Sequence, residues 1–431
     1  MNNGCVAVPL YSERGLRPTT IMETSTADHL LIKSVDDITE SWVRELLLHR
    51  CDLPDPKPPM QVKSWVKGKC PSGDPLAGFS STRATVQVAY EVEGEGGTLR
   101  KETFVVKLIP TLGFMSDLLV SEGMHHNEVG QYRHFLRSLA AWEAERRGVS
   151  CGVLCEMIPP HSLAVSCDQH FTLVLPELRE LGYTATNMPT GLDEDQIMLV
   201  VKNIGCFHGS VVAFKTITGV NLEEAFPKCF LQTSPDSPLF STFTQAGFDK
   251  LKEEWAGDPS RAQMLEMLEP YETHAAPFII SGLQPKEPFA TAIHGDLQPS
   301  NLFFKEKADE EHTIKVIDWA LARYSQGPYD LVYLMHMGVN KDTRRKVMSS
   351  ATEEYYKAFN EALTDLGAGM TYPRHVFEEQ LTLGKELMII WGISSINLFS
   401  CTLNLKERLH ALVADLLHDP DVKPPRPPFV T

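Results

Sequence analysis

Three side chains in this sequence have types and spacing that could do chemistry together: Asp296 and Asn301 in Ile-His294-Gly-Asp296-Leu-Gln-Pro-Ser-Asn301, and Asp318 in Lys-Val-Ile-Asp318-Trp. Asp296 and Asn301 are five residues apart, and Asp318 follows 17 residues after Asn301. Phosphoryl transfer from a magnesium-bound nucleoside triphosphate asks for such a set. One carboxylate meets the acceptor hydroxyl, while an amide oxygen and a second carboxylate serve as hard donors to the metal. The plainer alternative is a surface turn, because Gly-Asp and Pro-Ser-Asn are ordinary turn residues. Apolar, strand-like runs frame the loop, and the second acid lies beyond what reads as a short hairpin. Both favour the chemical reading.

A loop of this kind needs a rigid frame and a second group to seat the phosphates. From Asp37 the sequence has helical period, with Ile38, Trp42, Val43, Leu46 and Leu47 on one face. The Pro-rich run from Asp52 to Pro59 breaks it. Alternation then predicts strands around Val62–Val66, Thr82–Tyr90 and Thr103–Leu108, with the last two joined across Gly94-Glu-Gly-Gly97. Gly78, Ser80 and Ser81 lie between the first two, where small residues would let backbone amides approach phosphates; a plain hairpin turn reads equally well. Lys107 closes the apolar Phe-Val-Val run of the third strand, and burying an ammonium there calls for a partner. The helix-like segment Met115–Trp142 offers Glu122 and Glu128; the alternative is an edge-strand lysine facing water. Val153–Met157 and Phe171–Leu175 read as two further strands, and Pro176-Glu177-Leu178 as a hinge.

Beyond the hinge the patterns are helical. Ile197, Val200, Val201, Ile204 and Phe207 form a buried stripe ending at His208, which reads as a packed core histidine. Residues 246–271 are amphipathic, Pro277–Ala290 reads as a loop into the catalytic segment, and long helices are expected over 342–366 and 375–417. The expected division is a loose tail over 1–34, a nucleotide-binding lobe over 35–176, a catalytic lobe over 177–418 and a Pro-rich tail over 419–431.

A net charge of −16 argues against a general nucleic-acid binder, which needs a basic face. The nine cysteines are an odd count without zinc-like pairing; Cys151 and Cys155 read as buried strand thiols. No basic-then-apolar leader is seen, Asn2 excludes myristoylation, and the apolar run Leu387–Leu403 reads as a core helix, so no membrane span and a cytoplasmic setting are expected.

With these landmarks in order, the chain resembles the ecdysteroid kinase-like family, within the choline kinase and aminoglycoside phosphotransferase superfamily. The Gly78 loop, Lys107, Asn127-Glu-Val-Gly-Gln-Tyr132, Leu173–Leu178, Gly205–His208, His294–Asn301, Ile317-Asp318-Trp319 and Gly327–Leu331 carry the resemblance, which covers about residues 35–415. It implies an α+β, bilobed protein-kinase-like fold, with about five antiparallel strands plus helix in the N-lobe and a larger helical C-lobe. It also implies ATP and Mg2+ as cofactors. Asp296 inherits the place beside the acceptor hydroxyl, and Asn301 and Asp318 the metal. Lys107 and Glu128 inherit the phosphate-seating pair, with Gly78, Ser80, Ser81, Glu177 and Leu178 around the nucleotide. Trp319 stands where Phe is common, and Pro176-Glu177 where the family usually has an acidic pair. Only eleven residues separate Asp318 from Asp330, and no Ala-Pro-Glu follows. A protein kinase has a longer activation segment there, so the expected acceptor is a small-molecule hydroxyl: sterol-like, another small alcohol, or an amino alcohol such as choline or ethanolamine. A catalytically inactive binding module is the alternative of another class.

Overall fold

The computed structural model describes residues 28–431 except 54–56, 70–80, 111–112, 187, 233, 238, 308–309, 400–401, 428 and 430–431. Gly78 and Ser80 therefore lie outside the described residues. Two compact units divide the chain. The first comprises residues up to Thr184 with Val220–Leu231 and Phe303–Leu321; the second comprises Ala185–Gly219, Gln232–Leu302 and Ala322 onward.

The first unit is built on a five-stranded antiparallel sheet. It starts with α1 (Glu40–Leu48), then β1 (Met60–Lys69), β2 (Thr82–Val92) and β3 (Leu99–Leu108). Three helices follow, α2 (Phe114–Ser121), α3 (Met124–Gly130) and α4 (Leu136–Arg147), then short α5 (Val153–Met157), β4 (Leu163–Cys167) and β5 (His170–Pro176). The spatial order is β1-β2-β3-β5-β4, so β3 is central. Alternation puts Val86, Val88, Phe104 and Val106 on a buried face, against which the Trp42, Val43, Leu46 and Leu47 stripe of α1 packs. Thr39 caps α1 by accepting from the Trp42 amide. Leu30 and Ile32, inside the expected tail, are part of this core: Leu30 is fully buried and its carbonyl accepts from the Trp42 indole at 2.9 Å.

Three further sequence expectations change in this unit. Val153–Met157 is helix, not strand, and the fourth strand is Leu163–Cys167. The buried residues there, Leu154 and Met157, are three apart, which suits a helical turn and not a two-residue alternation. Glu143 also accepts from the Leu154 amide and helps start the turn. Cys151 and Cys155 are consequently exposed thiols, not buried strand residues. The helical stretch over Met115–Trp142 is three helices, interrupted at Gly123 (φ +69°) and by a π-turn over Gln131–Phe135.

Past β6 (Thr184–Ala185) the chain enters the second unit with α6 (Glu194–Thr218), while short α7 (Leu222–Ala225) belongs to the first. The second unit continues with α8 (Gln245–Trp255), α9 (Ala262–Gly282) and β7 (Ala290–Ile293). After β8 (Leu302–Lys307) and β9 (Glu310–Val316), β10 (Arg323–Gln326) pairs antiparallel with β7. The helices α10 (Pro328–Met337), α11 (Lys341–Asp365), α12 (Arg374–Phe399) and α13 (Leu403–Leu417) complete it. Helix α6 begins with a reciprocal Asp193–Gln196 cap. It meets α11 at Gly205 and Gly209, where a Cβ would come within 2.6 Å of the Tyr355 carbonyl oxygen and 2.4 Å of that of Phe359. Only glycine permits that approach. Among the described residues α6 is the one helix long and apolar enough to cross a membrane, and 72% of its apolar window is buried, as in a core helix.

The segment expected as a loop from Pro277 is helical to Gly282; α9 contains Pro270 and Pro277 and breaks helical geometry at His274. Pro277 cannot donate to the preceding turn, and the kink is where the helix absorbs that loss. The single helix expected over 375–417 is two, α13 restarting at the Thr402 cap. The C-terminal tail is anchored: the Lys423 amide donates to Glu386, the Lys423 carbonyl accepts from Tyr271, and Phe429 packs on Phe278.

Candidate active site

In the first unit, β3 places Lys107 opposite Arg83 of β2 and Leu173 of β5, inside the sheet and not at its edge. Its Nζ lies 2.8 Å from both carboxylate oxygens of Glu128 on α3 and 2.9 Å from Asp318 Oδ1. Glu122, the other candidate, does not take this place. Helix α3 is tied to the chain beyond Asp318 by Asn127, whose amide donates to the Ala320 carbonyl at 3.0 Å. Trp319 is fully buried and its indole donates to the Val316 carbonyl, so the larger ring is absorbed into the core. Asp318 itself has φ +67°, a left-handed conformation that a non-glycine residue holds only when its surroundings fix it.

One ammonium between two carboxylates is outnumbered whenever both acids are ionised. Burial disfavours the Lys107 ammonium, but Asp318 and Glu128 more than offset it and hold its pKa above the ordinary lysine value. Burial pushes Glu128 up to about 7 against the pull of Lys107, and the Asp318 charge adds to the push. Burial thus shifts the Glu128 carboxyl toward its protonated form, while Lys107 keeps its charge.

Ser81, directly before β2, is buried, and its hydroxyl has no hydrogen-bond partner among the described residues. After β5, the Glu177 amide donates to the Thr103 carbonyl, and Glu177 Oε1 accepts from the Arg179 amide at 3.1 Å. Leu178 is buried, with its carbonyl accepting from the amides of Leu181 and Tyr183.

In the second unit, fully buried β7 delivers the chain into the loop. Gly295, at φ +79°, makes the turn that an L side chain would strain. Asp330, completely buried in the first turn of α10, clamps the loop from below: its carboxylate accepts from the amides of His294 at 2.6 Å and Gly295 at 2.9 Å. His208 sits 3.3 Å from Asp330 and 2.7 Å from the Tyr355 hydroxyl, a packed core histidine as its sequence context suggests. A Cβ on Gly327 would lie 2.3 Å from that hydroxyl, which explains the glycine ahead of Pro328.

Asp296 is half-buried and gripped through both oxygens. The Tyr333 hydroxyl donates to Oδ1 at 2.6 Å; the side-chain amides of Gln298 and Asn301 each donate to Oδ2 at 3.1 Å. Asn301 Nδ2 also donates to the Asp296 carbonyl at 3.0 Å. Both donations come from the amide nitrogen, so Oδ1 takes no part in them. The donors that sequence reasoning links to magnesium, this amide oxygen and the Asp318 carboxylate, are hard oxygens of the kind Mg2+ takes. The structure thus brings Lys107, Glu128 and Asp318 together in one unit, and Asp296 and Asn301 together in the other.

Tyr333, Gln298 and the clamping role of Asp330 were not legible as site features. Asp330 and Tyr333 are three apart on one helical face, a spacing that could have paired them. Every residue of α10 is buried, however, so apolar period cannot single out that face.

The sequence pattern of the ecdysteroid kinase-like family matches residues 75–368, and the chain belongs to this family. No curated protein matches the chain. Among solved structures it is similar to an ethanolamine kinase from Plasmodium vivax, at 12% identity and TM-score 0.42, covering 92% of this chain and 94% of that one. An aminoglycoside 2'-phosphotransferase-IIIa in its GDP complex gives 13% identity and TM-score 0.40 over 88% and 99% of the two chains. A choline kinase from Streptococcus pneumoniae gives 11% and 0.35 over 83% and 94%. Family membership supports small-molecule kinase activity in general.

Proposed function

We propose that this protein transfers the γ-phosphoryl group of ATP to a hydroxyl of a small molecule, with a sterol-like or other small alcohol as acceptor. The observation that carries the proposal is the trio in the first unit, where Lys107 reaches both Glu128 and Asp318 within 2.9 Å. A buried ammonium held by a helix glutamate is the device by which kinases seat phosphates. Asn301 and Asp318 each offer a hard oxygen of the kind magnesium takes, and the ion would supply neutralisation of the developing phosphate charge. Asp296 orients the acceptor hydroxyl and takes its proton. Tyr333, Gln298 and Asn301 hold that carboxylate so that little reorganisation is needed at the moment of transfer. The short link from Asp318 to Asp330, with β10 and the start of α10 already inside it, supports a small acceptor over a peptide.

The test is incubation of the purified protein with Mg2+ and labelled ATP against sterols and ecdysteroids, choline, ethanolamine, other small alcohols and peptide libraries. Label is expected on a small-molecule hydroxyl, not on peptide, and is expected to disappear in Asp296→Asn. Transfer to choline or ethanolamine alone would select the amino-alcohol reading. Nucleotide binding without transfer to any acceptor would make the protein a binding module, and Asp296-dependent peptide labelling would overturn the acceptor class.

A further inference from the structure

A second constellation lies far from these groups in sequence, at the N-terminal edge of the first unit. His29, in a 3-10 turn over Asp28–Leu30, and His49, the C-terminal cap of α1, both approach Glu45 of α1. His29 Nε2 is 3.4 Å from Glu45 Oε2 and His49 Nε2 is 3.5 Å from the same oxygen. All three candidate donor atoms lie within 4.8 Å of one another. A tetrahedral zinc ion with ligand bonds of roughly 2.0–2.1 Å separates adjacent donors by about 3.3 Å. The two measured edges match that spacing before any ion is placed.

The donors are presented by fixed backbone. Glu45 and His49 are four apart, one helical turn, and the His49 amide donates to the Glu45 carbonyl at 3.0 Å. His29 is positioned by its neighbour: Leu30 is fully buried, and its carbonyl holds the indole of Trp42, on the same helix as Glu45. Two residues on, the Ile32 amide donates to Thr172 in β5. The two imidazole rings lie edge to face, with centroids 5.1 Å apart. All three side chains keep partial solvent exposure, which gives an ion an entry path and water as a further ligand.

We propose that His29, Glu45 and His49 form a site for a divalent transition metal of the zinc class, which clasps the segment around residues 28–32 onto α1. Imidazole nitrogens with one carboxylate suit zinc and disfavour magnesium and calcium, which take oxygen. The site is independent of the proposed phosphoryl transfer, and its role is to hold the covering segment on the apolar face of the sheet.

The experiment is titration of the full chain with Zn2+ against a chromophoric chelator, followed by Co2+ as a spectroscopic substitute. His29→Gln, His49→Gln and a Cys151→Ser/Cys155→Ser variant are compared with the wild type, and circular dichroism checks that each is folded. One saturable equivalent is expected in the wild type and the cysteine variant, and its loss in each histidine variant. Bound Co2+ should show tetrahedral d–d bands without thiolate charge transfer, and Zn2+ should raise the unfolding temperature of the wild type but not of the histidine variants. The absence of a saturable equivalent, its survival in either histidine variant, or its loss in the cysteine variant would overturn the proposal.

Discussion

In the first unit, Lys107 meets Glu128 and Asp318 as charge against charge, with one ammonium shared between two carboxylates. In the second, Asp296 is met by a phenol and two amides, and Asp330 by two backbone N–H groups. The difference suits different tasks. Under the proposed phosphoryl transfer, a charged trio with a surplus carboxylate would exchange partners when a cation and phosphates bind, because the excess charge invites compensation. A carboxylate held by fixed dipoles keeps its place and its reactivity whatever occupies the other unit.

Two substitutions break the comparison most strongly. Asp296→Asn should lower turnover by roughly 10²–10⁴-fold, the usual range for removing a positioned general base, while Mg-nucleotide affinity stays within a small factor of wild type. Asp318→Ala should abolish turnover as well, but through loss of Mg-dependent nucleotide binding. Calorimetry of Mg-ATP binding beside steady-state rates separates them. Equal nucleotide affinities in the two variants would mean that the acids do not divide the labour as their surroundings imply.

A smaller effect sharpens the neutral side of the comparison. Tyr333→Phe removes the hydroxyl 2.6 Å from Asp296 and little else, since the ring remains packed. A hydrogen bond to a charged group contributes about 1.5–3 kcal/mol, so kcat should fall roughly 10- to 150-fold with KM for ATP unchanged. The pH–rate profile is the decisive readout. Losing a donor to the carboxylate destabilises its ionised form, so the acidic limb of the profile should move to higher pH. An unmoved limb would reduce Tyr333 to core packing.

What could be read from the sequence follows the same line. The charged side was legible because a lysine inside an apolar strand demands an explanation, and one of the two helix glutamates supplies it. The loop from His294 to Asn301 was legible because its residue types are costly to bury without purpose. The grip on Asp296 was not, because a tyrosine in an all-buried helix looks like any other core aromatic. Errors of fold came from short apolar runs and prolines. Val153–Met157 has too few residues to separate a helical turn from a strand. Pro277 bends α9 without ending it, because the helix absorbs the lost hydrogen bond in a kink. The Ser81 loop stays a partial reading, since Gly78 and Ser80 lie outside the described residues.

The smallest effect is a slope, and it tests the charged side by its protons. Glu128 has a folded-state pKa of about 7 against an ordinary 4.5, so between those values the folded chain holds a proton that the unfolded chain has released. Stability rises with pH where the unfolded state binds more protons; here the folded state binds more, so this group makes stability fall as pH rises from 4.5 to about 7. Its penalty is absent below 4.5 and complete above 7. Glu128→Gln cannot titrate, so the difference in unfolding free energy between wild type and this variant should tilt across that window and level off outside it, whatever its absolute size. Asp318→Ala removes a carboxylate that raises the Glu128 pKa, so the tilt should end at lower pH in that background. Denaturant unfolding at half-unit steps from pH 4 to 8 measures both. A wild-type slope that parallels Glu128→Gln throughout would show that Glu128 is ionised across the range and that Lys107 alone balances the pair.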